Sequence, residues 1–247
     1  RGERGPPGHR ATGRGSGRAA HMFTPFSAWN NLRGLTRQSF CDWPGRVSAV
    51  LFLGGCNLAC PTCHNAGLAW GPERHPVLEQ GPVLSWLMGR ARWLDGLTVT
   101  GGEPTLSQGL AVFLADLRRA TGLPVKLDTN GMLPEVVELM LAQNLVHTFA
   151  VDVKGPFAKY PALTGGAAEE HAARRNLERI FALALAHPGT FRFRTTRVPL
   201  LADEDIEAVR ALLPAGHELT IQDYKPPRRP HALADSEARR TARNLVD

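Results

Sequence analysis

GCNLACPTCHN, residues 55–65, sets three thiols and an imidazole on one short loop of a chain that holds four cysteines in all. It follows directly on VSAVLFLG at 47–54, an apolar run rich in β-branched and aromatic residues that reads as a buried strand. Downstream the same alternation recurs. A helix is predicted at 82–94, with Val83, Leu84, Leu87 and Leu94 on one stripe, then a strand LTVT at 97–100, a turn GGEP at 101–104 and a helix at 107–120 carrying Leu110, Phe113, Leu114 and Leu117. VKLDT (125–129) reads as a strand, PEVVELMLAQ (134–143) as a helix with proline in its first turn, and HTFAVDV (147–153) as a strand. A long helix at 167–187, a strand FRFRTTRVP (191–199), a helix DEDIEAVRALL (203–213) and a strand ELTIQDY (218–224) complete the series.

Six strands alternating with helices call for a parallel sheet joined by crossovers. The count falls short of the eight strands of a closed barrel, so the fold class expected is α/β, a partial (β/α)6 TIM-like barrel. In such sheets active-site groups collect at the C-terminal ends of the strands. The cysteines, GGEP, Asp128, Asp152, Arg194 and the pair Gln222 and Lys225 all fall at or just after a strand's end. They are expected to converge on one face.

Composition bounds the rest. With 247 residues, 43% hydrophobic and 21% charged, the chain can bury one sizeable core. Its longest apolar runs are far below the roughly 20 residues of a membrane helix, and the N-terminus has no apolar signal region, so a cytoplasmic location is expected and no membrane partner. The net charge of +6 is mostly local: Arg1, Arg4, Arg10, Arg14 and Arg18 face only Glu3 in the first twenty residues. That segment has too few apolar residues to offset ordering entropy. Residues 1–21 are therefore read as a disordered basic extension, with Met22 an alternative start, 22–227 as the folded domain and 228–247 as a C-terminal tail. Without aromatics among its arginines the extension does not read as a nucleic-acid binder.

Four cysteines in a cytoplasmic protein point to metal or catalysis rather than a disulfide framework. Cys41 stands apart and reads as a half-buried thiol. Cys56-x3-Cys60-x2-Cys63 admits two metal readings. One is a zinc knuckle completed by His64, for which adjacent ligands at Cys63 and His64 make tetrahedral geometry awkward. The other is a [4Fe–4S] cluster, which normally takes four thiolates; three would leave one iron open to chelate a substrate.

C-x3-C-x2-C after a first strand, followed by GGEP after the next, resembles the radical S-adenosylmethionine enzymes over residues 40–226. The resemblance implies that Cys56, Cys60 and Cys63 hold a [4Fe–4S] cluster whose open iron takes the amino and carboxylate groups of S-adenosylmethionine, and that Gly101, Gly102 and Glu103 receive the methionine ammonium. Reduction of the sulfonium by the cluster would yield a 5′-deoxyadenosyl radical that abstracts hydrogen. LDTNG (127–131) and VDVK (151–154) are similar to elements of glycyl-radical-enzyme activases. This implies that Asp128, Thr129 and Asp152 form a site for a monovalent cation and the cofactor carboxylate, with Lys154 beside it and Arg194 on the carboxylate. Two carboxylates at neighbouring strand ends would otherwise repel.

CDWPG (41–45), CHN (63–65), RTT (194–196) and IQDYKP (221–226) look most like the activating proteins of anaerobic ribonucleoside-triphosphate reductase. The implied partners are the large subunit of that glycyl radical enzyme and a flavodoxin or ferredoxin as electron donor. Thr62 departs from the pattern, standing where many relatives carry an aromatic residue, and His64 and Asn65 match the motif without an assignable chemical role. The alternatives are a small-molecule radical enzyme such as a 7-carboxy-7-deazaguanine synthase, and a non-catalytic zinc or nucleic-acid module.

Overall fold

Most strands of this chain carry large apolar residues at every second position, which commits one face of each to a helix layer. A computed structural model describes Gly2 and residues 27–226. The predicted extension at 1–21, Gly2 apart, and the tail at 228–247 lie outside the described residues. Seven strands form one sheet in chain order: β1 (Leu32–Ser39), β2 (Ser48–Leu53), β3 (Gly96–Gly101), β4 (Val125–Thr129), β5 (Thr148–Asp152), β6 (Phe191–Arg197) and β7 (Leu219–Asp223). Between them run α1 (Ala66–Trp70), α2 (Gln80–Met88), α3 (Leu110–Thr121), α4 (Pro134–Ala142), α5 (Tyr160–Leu163), α6 (Glu170–Ala186) and α7 (Asp203–Leu212). Strands β2 to β7 pair in parallel, giving the expected six-stranded partial barrel.

The seventh strand is an addition. β1 pairs antiparallel with β2 at the sheet edge, and sequence reading passed over it because Arg33, Thr36, Arg37 and Gln38 interrupt any apolar run. An edge strand can carry such residues, since it buries only part of its surface. Helix ends also moved. The predicted helix at 82–94 is α2 followed, past Gly89, by a separate 3-10 turn at Ala91–Trp93, and the helix expected from 107 starts at Leu110 because Gly109 takes a left-handed conformation. Cys41, expected to be half-buried, is exposed and lies with its Sγ 3.5 Å from Ser39 Oγ.

The two faces of the sheet differ in chemistry. Leu51, Val99, Leu127, Phe149, Val151, Phe191 and Phe193 point into the helix-covered core with Phe113, Leu114, Leu177 and Ile180. Residues of the opposite parity face the concave side, and there the strand ends carry Thr100, Asp128, Asp152, Arg194, Thr196 and Gln222. Phe149 is fully buried and stacks on Phe191 with centroids 5.1 Å apart. Phe149→Ala is expected to cost about 3–5 kcal/mol in urea unfolding through the cavity it leaves. Val112→Ala, on the exposed side of α3, should change stability by no more than about 0.5 kcal/mol.

Candidate functional site

The cysteine loop leaves β2 and is held from four directions. Gly102 N–H donates to the Leu53 carbonyl at 2.9 Å and Glu103 N–H to the Gly55 carbonyl at 2.7 Å, joining the loop to the end of β3. A Cβ at Gly101 or Gly102 would sit inside contact distance of the Leu53 or Gly55 carbonyl oxygen, and Gly101 has a φ of 137°. The glycines of the GGEP turn are thus required by the cysteine loop's own backbone. From a third side, Ala59 N–H donates to the Thr164 carbonyl at 3.0 Å, and Trp70 Nε1 donates to the Leu58 carbonyl at 2.9 Å. On the fourth, His64 Nε2 bonds the Lys225 carbonyl and its ring stacks on Tyr224, 5.8 Å between centroids and 8° between planes.

These bonds account for the two motif residues that had no role. Asn65 Nδ2 donates to the Gly101 carbonyl at 3.0 Å, fastening the loop to the glycine turn, while His64 fastens it to the end of β7. Sequence reading missed Asn57 and Asn130. Both are buried, and Asn130 Nδ2 donates to Asn57 Oδ1 at 2.7 Å, tying the cysteine loop to β4. A buried polar pair spanning strand ends leaves no sequence signal beyond the residue types themselves.

Glu103 is 1% exposed. Its carboxylate accepts from Thr105 N–H and Oγ1, from Thr129 Oγ1 at 2.8 Å and from Asn130 N–H at 2.7 Å. Burial pushes this carboxyl above its usual range, against those four bonds. Glu103 therefore joins the ends of β3 and β4 in addition to lining the cavity.

Beside it lies a run of charges across β4, β5 and β6. Arg194 bonds Asp152 through Nε and Asp128 through Nη2, the latter at 3.1 Å. Lys154 Nζ donates to Asp152 Oδ2 at 2.9 Å, and Lys126, unnoticed in the sequence, bonds Asp128. The register explains the meeting: Asp152 pairs with Arg194 across β5 and β6, and Asp128 sits opposite Ala150 one strand away. Burial opposes the charge of Asp152 most strongly, yet Arg194 and Lys154 outweigh it and hold the carboxyl well below its usual range. Burial likewise opposes the charge of Arg194 and Lys154, but the partner carboxylates, with Cys60 also acting on Lys154, push both upward.

One cavity of about 390 Å³ is lined by all of these groups: Cys56, Cys60 and Cys63 on one wall, Gly101 to Glu103 on another, and Asp128, Thr129, Asp152, Lys154 and Arg194 on a third. Every site residue expected from the sequence borders it. The volume is that of a small-molecule site. Burial raises all three thiols. Glu103 and the other two cysteines add to the rise at Cys56, and Cys63 is pushed up to about 11 by burial and Cys60. Thiolates here would need positive charge among them, which iron supplies. A single zinc would need its ligands to converge, and no group of three or more His, Cys, Asp and Glu among the described residues is disposed to hold one ion. A multi-iron cluster takes each thiolate on a different iron, which suits three thiols that border one cavity.

Residues 50–213 match the family model of the Radical SAM superfamily. A Methanocaldococcus jannaschii protein, provisionally named a glycyl-radical enzyme activating enzyme, is 32% identical over 197 residues, covering 79% of this chain and 80% of that protein. A 7-carboxy-7-deazaguanine synthase of Hyperthermus butylicus is 34% identical over 119 residues, 47% of this chain and 49% of its own. Among solved structures, Streptococcus suis SuiB bound to S-adenosylmethionine shares the fold with a TM-score of 0.55 at 15% identity, covering 78% of this chain and 45% of SuiB. The chain belongs to the radical S-adenosylmethionine superfamily, whose cofactors are S-adenosylmethionine and an iron–sulfur cluster. No helix among the described residues is long and apolar enough to cross a membrane.

The charge run yields a pH-dependent prediction. Because the Asp152 carboxyl is depressed in the folded protein, its stabilisation is present above the unfolded value near 3.8 and is lost as pH falls through the lower native one. Asp152→Asn should therefore cost roughly 2–3 kcal/mol at pH 7, where it leaves Lys154 and Arg194 underpaired. The urea-midpoint gap between the two proteins should start to narrow below about pH 4 and be clearly smaller by about pH 2, closing only below the native value; a gap that stays constant from pH 7 to pH 2 would contradict the charge assignment.

Proposed function

We propose that this chain is a glycyl-radical-enzyme activase, with a [4Fe–4S] cluster held by Cys56, Cys60 and Cys63 and S-adenosylmethionine in the adjoining cavity. The observation that carries this reading is the meeting, in one cavity, of a three-thiol wall and a carboxylate-binding wall of Arg194 and Lys154. Similarity to the Methanocaldococcus jannaschii activating enzyme along most of both chains supports the activase class. When bound, the cluster and cofactor supply a reductive carbon–sulfur cleavage and a deoxyadenosyl group that takes hydrogen from a glycine.

The chain's own residues do the positioning. Asn65, His64, Asn57 and the Leu53 and Gly55 carbonyls hold the thiol wall at a set distance from the strand ends. Arg194 and Lys154 orient the methionine carboxylate, and the turn at Gly101 to Glu103 faces the ammonium. Glu103, its oxygens already bonded, contributes there by charge. Thr129 holds Glu103, and Asp128 and Asp152 hold Arg194. The partner whose glycine is oxidised is the large subunit of an anaerobic ribonucleoside-triphosphate reductase, and the electron donor a flavodoxin or ferredoxin. The motifs CDWPG, CHN, RTT and IQDYKP support that partner class.

A second reading rests on the similarity to 7-carboxy-7-deazaguanine synthase, which spans less than half of either chain. The two separate experimentally. Mixed anaerobically with reductant, S-adenosylmethionine and the large reductase subunit of the same organism, the reconstituted protein should give 5′-deoxyadenosine and a persistent glycyl doublet by electron paramagnetic resonance. Alanine at the partner's radical glycine should remove the doublet. Turnover of a deazapurine precursor with no doublet would transfer the assignment to the second reading.

The cluster assignment has its own check. Cys56→Ala, Cys60→Ala and Cys63→Ala should each abolish the cluster's absorbance and cofactor cleavage, while Cys41→Ala does neither. A Cys60→Ala protein that keeps a cluster and cleaves the cofactor would overturn it.

A further inference from the structure

The resemblance on which Asp128, Thr129 and Asp152 were assigned implies a monovalent metal cation between the two carboxylates, and the residues present do not fit one. All four oxygens of the aspartate pair are engaged by nitrogen cations: Asp128 Oδ1 by Lys126, Asp128 Oδ2 by Arg194, Asp152 Oδ1 by Arg194 and Asp152 Oδ2 by Lys154. Thr129 is equally committed. Its hydroxyl donates to Glu103 and accepts from Gly131 N–H at 3.1 Å.

We infer that the Arg194 guanidinium is itself the cation of this site, and that the strand-end cluster binds its anionic ligand directly, without a metal ion bridging Asp128 and Asp152. The inference rests on the activase reading only for the identity of the ligand, a carboxylate borne by S-adenosylmethionine.

Charge balance within the ion-paired run leads to it. Lys126, Lys154 and Arg194 pair with two carboxylates, an excess of one positive charge in the run, which an incoming carboxylate neutralises and an added metal ion would double, while Glu103 beside the run is bonded to Thr105, Thr129 and Asn130 rather than to these cations. To sit between the aspartates, a metal would have to unpair a guanidinium whose side chain is 20% exposed, exchanging one unit cation for another at a desolvation cost. Lys126 blocks the other approach. Its side chain is 5% exposed and holds Asp128 from beneath, so that carboxylate cannot turn away from Arg194 without breaking a second buried pair. Donors remain for the ligand: a guanidinium carries about five N–H groups and an ammonium about three, whereas Arg194 and Lys154 spend only a few on the aspartates.

The test compares S-adenosylmethionine affinity of the cluster-reconstituted full chain, by equilibrium dialysis, in potassium, sodium and choline chloride at equal ionic strength; choline is too large to sit between the carboxylates. The thermal midpoint is read in the same salts. Wild-type affinity should vary by less than about twofold among the salts, and a loss of about tenfold in choline that potassium or sodium reverses would overturn the inference. Arg194→Met should create the missing dependence: its midpoint should rise saturably with sodium or potassium and not with choline. Arg194→Lys, which keeps a cation in place, should show no such rise, and a saturable rise there counts against the inference; this variant decides if Arg194→Met does not fold. If no salt permits cofactor binding, the activase reading fails, and the wild-type midpoint alone decides the cation question: a saturable rise with sodium or potassium overturns the inference and a flat response upholds it.

Discussion

Two backbone hydrogen bonds, from Gly102 to Leu53 and from Glu103 to Gly55, join the end of β3 to the loop that leaves β2. The close approach they require excludes any side chain at Gly101 and Gly102. It places the thiol wall and the glycine turn along adjacent strand ends. Asn65 adds a side-chain bond to the same turn, and Glu103, anchored through this contact, reaches across to Thr129 at the end of β4 and to Asn130 just after it. The order of three strand ends thus hangs on one backbone juncture. Where two backbones approach so closely that only glycine fits, neither can drift without losing the bonds between them.

The second organising element is electrical. Aspartates on β4 and β5 and an arginine on β6 would each be costly at a half-buried strand end if left alone. Together with Lys126 and Lys154 they form an alternating run in which each carboxylate has two cationic partners. The run leaves one positive charge in excess, facing the cavity that also receives the three thiols. The same arrangement that makes these residues tolerable in the fold leaves the wall poised for an anion.

Much of this was legible in the chain. The six parallel strands were readable because a buried parallel strand is a short apolar run bounded by turn residues. The cysteine loop, GGEP, LDTNG and VDVK were readable because their spacing is local and each falls where a strand stops. β1 was not, because an edge strand need not be apolar, and its pairing with β2 carries two register shifts that no periodicity encodes. Lys126 was overlooked because a lysine inside VKLDT looks like a solvated residue. Only the concave face, where parity sends it beside Asp128, makes it a buried partner.

By itself the sequence determined which residues stand at which strand ends, since strand parity and chain order follow from local pattern, and it determined the three-thiol spacing that places the chain in its superfamily. The tertiary structure alone decided what those residues do to one another. Asp128 and Asp152 read as a pair of like charges at neighbouring strand ends, and the register of β5 against β6 set Arg194 against both. His64 and Asn65 read as motif letters, and the packing of β7 and β3 made them fasteners of the cysteine loop. The reason is physical: a side chain's charge and reach are written in its own position, but its partners are set by which strands the fold lays side by side.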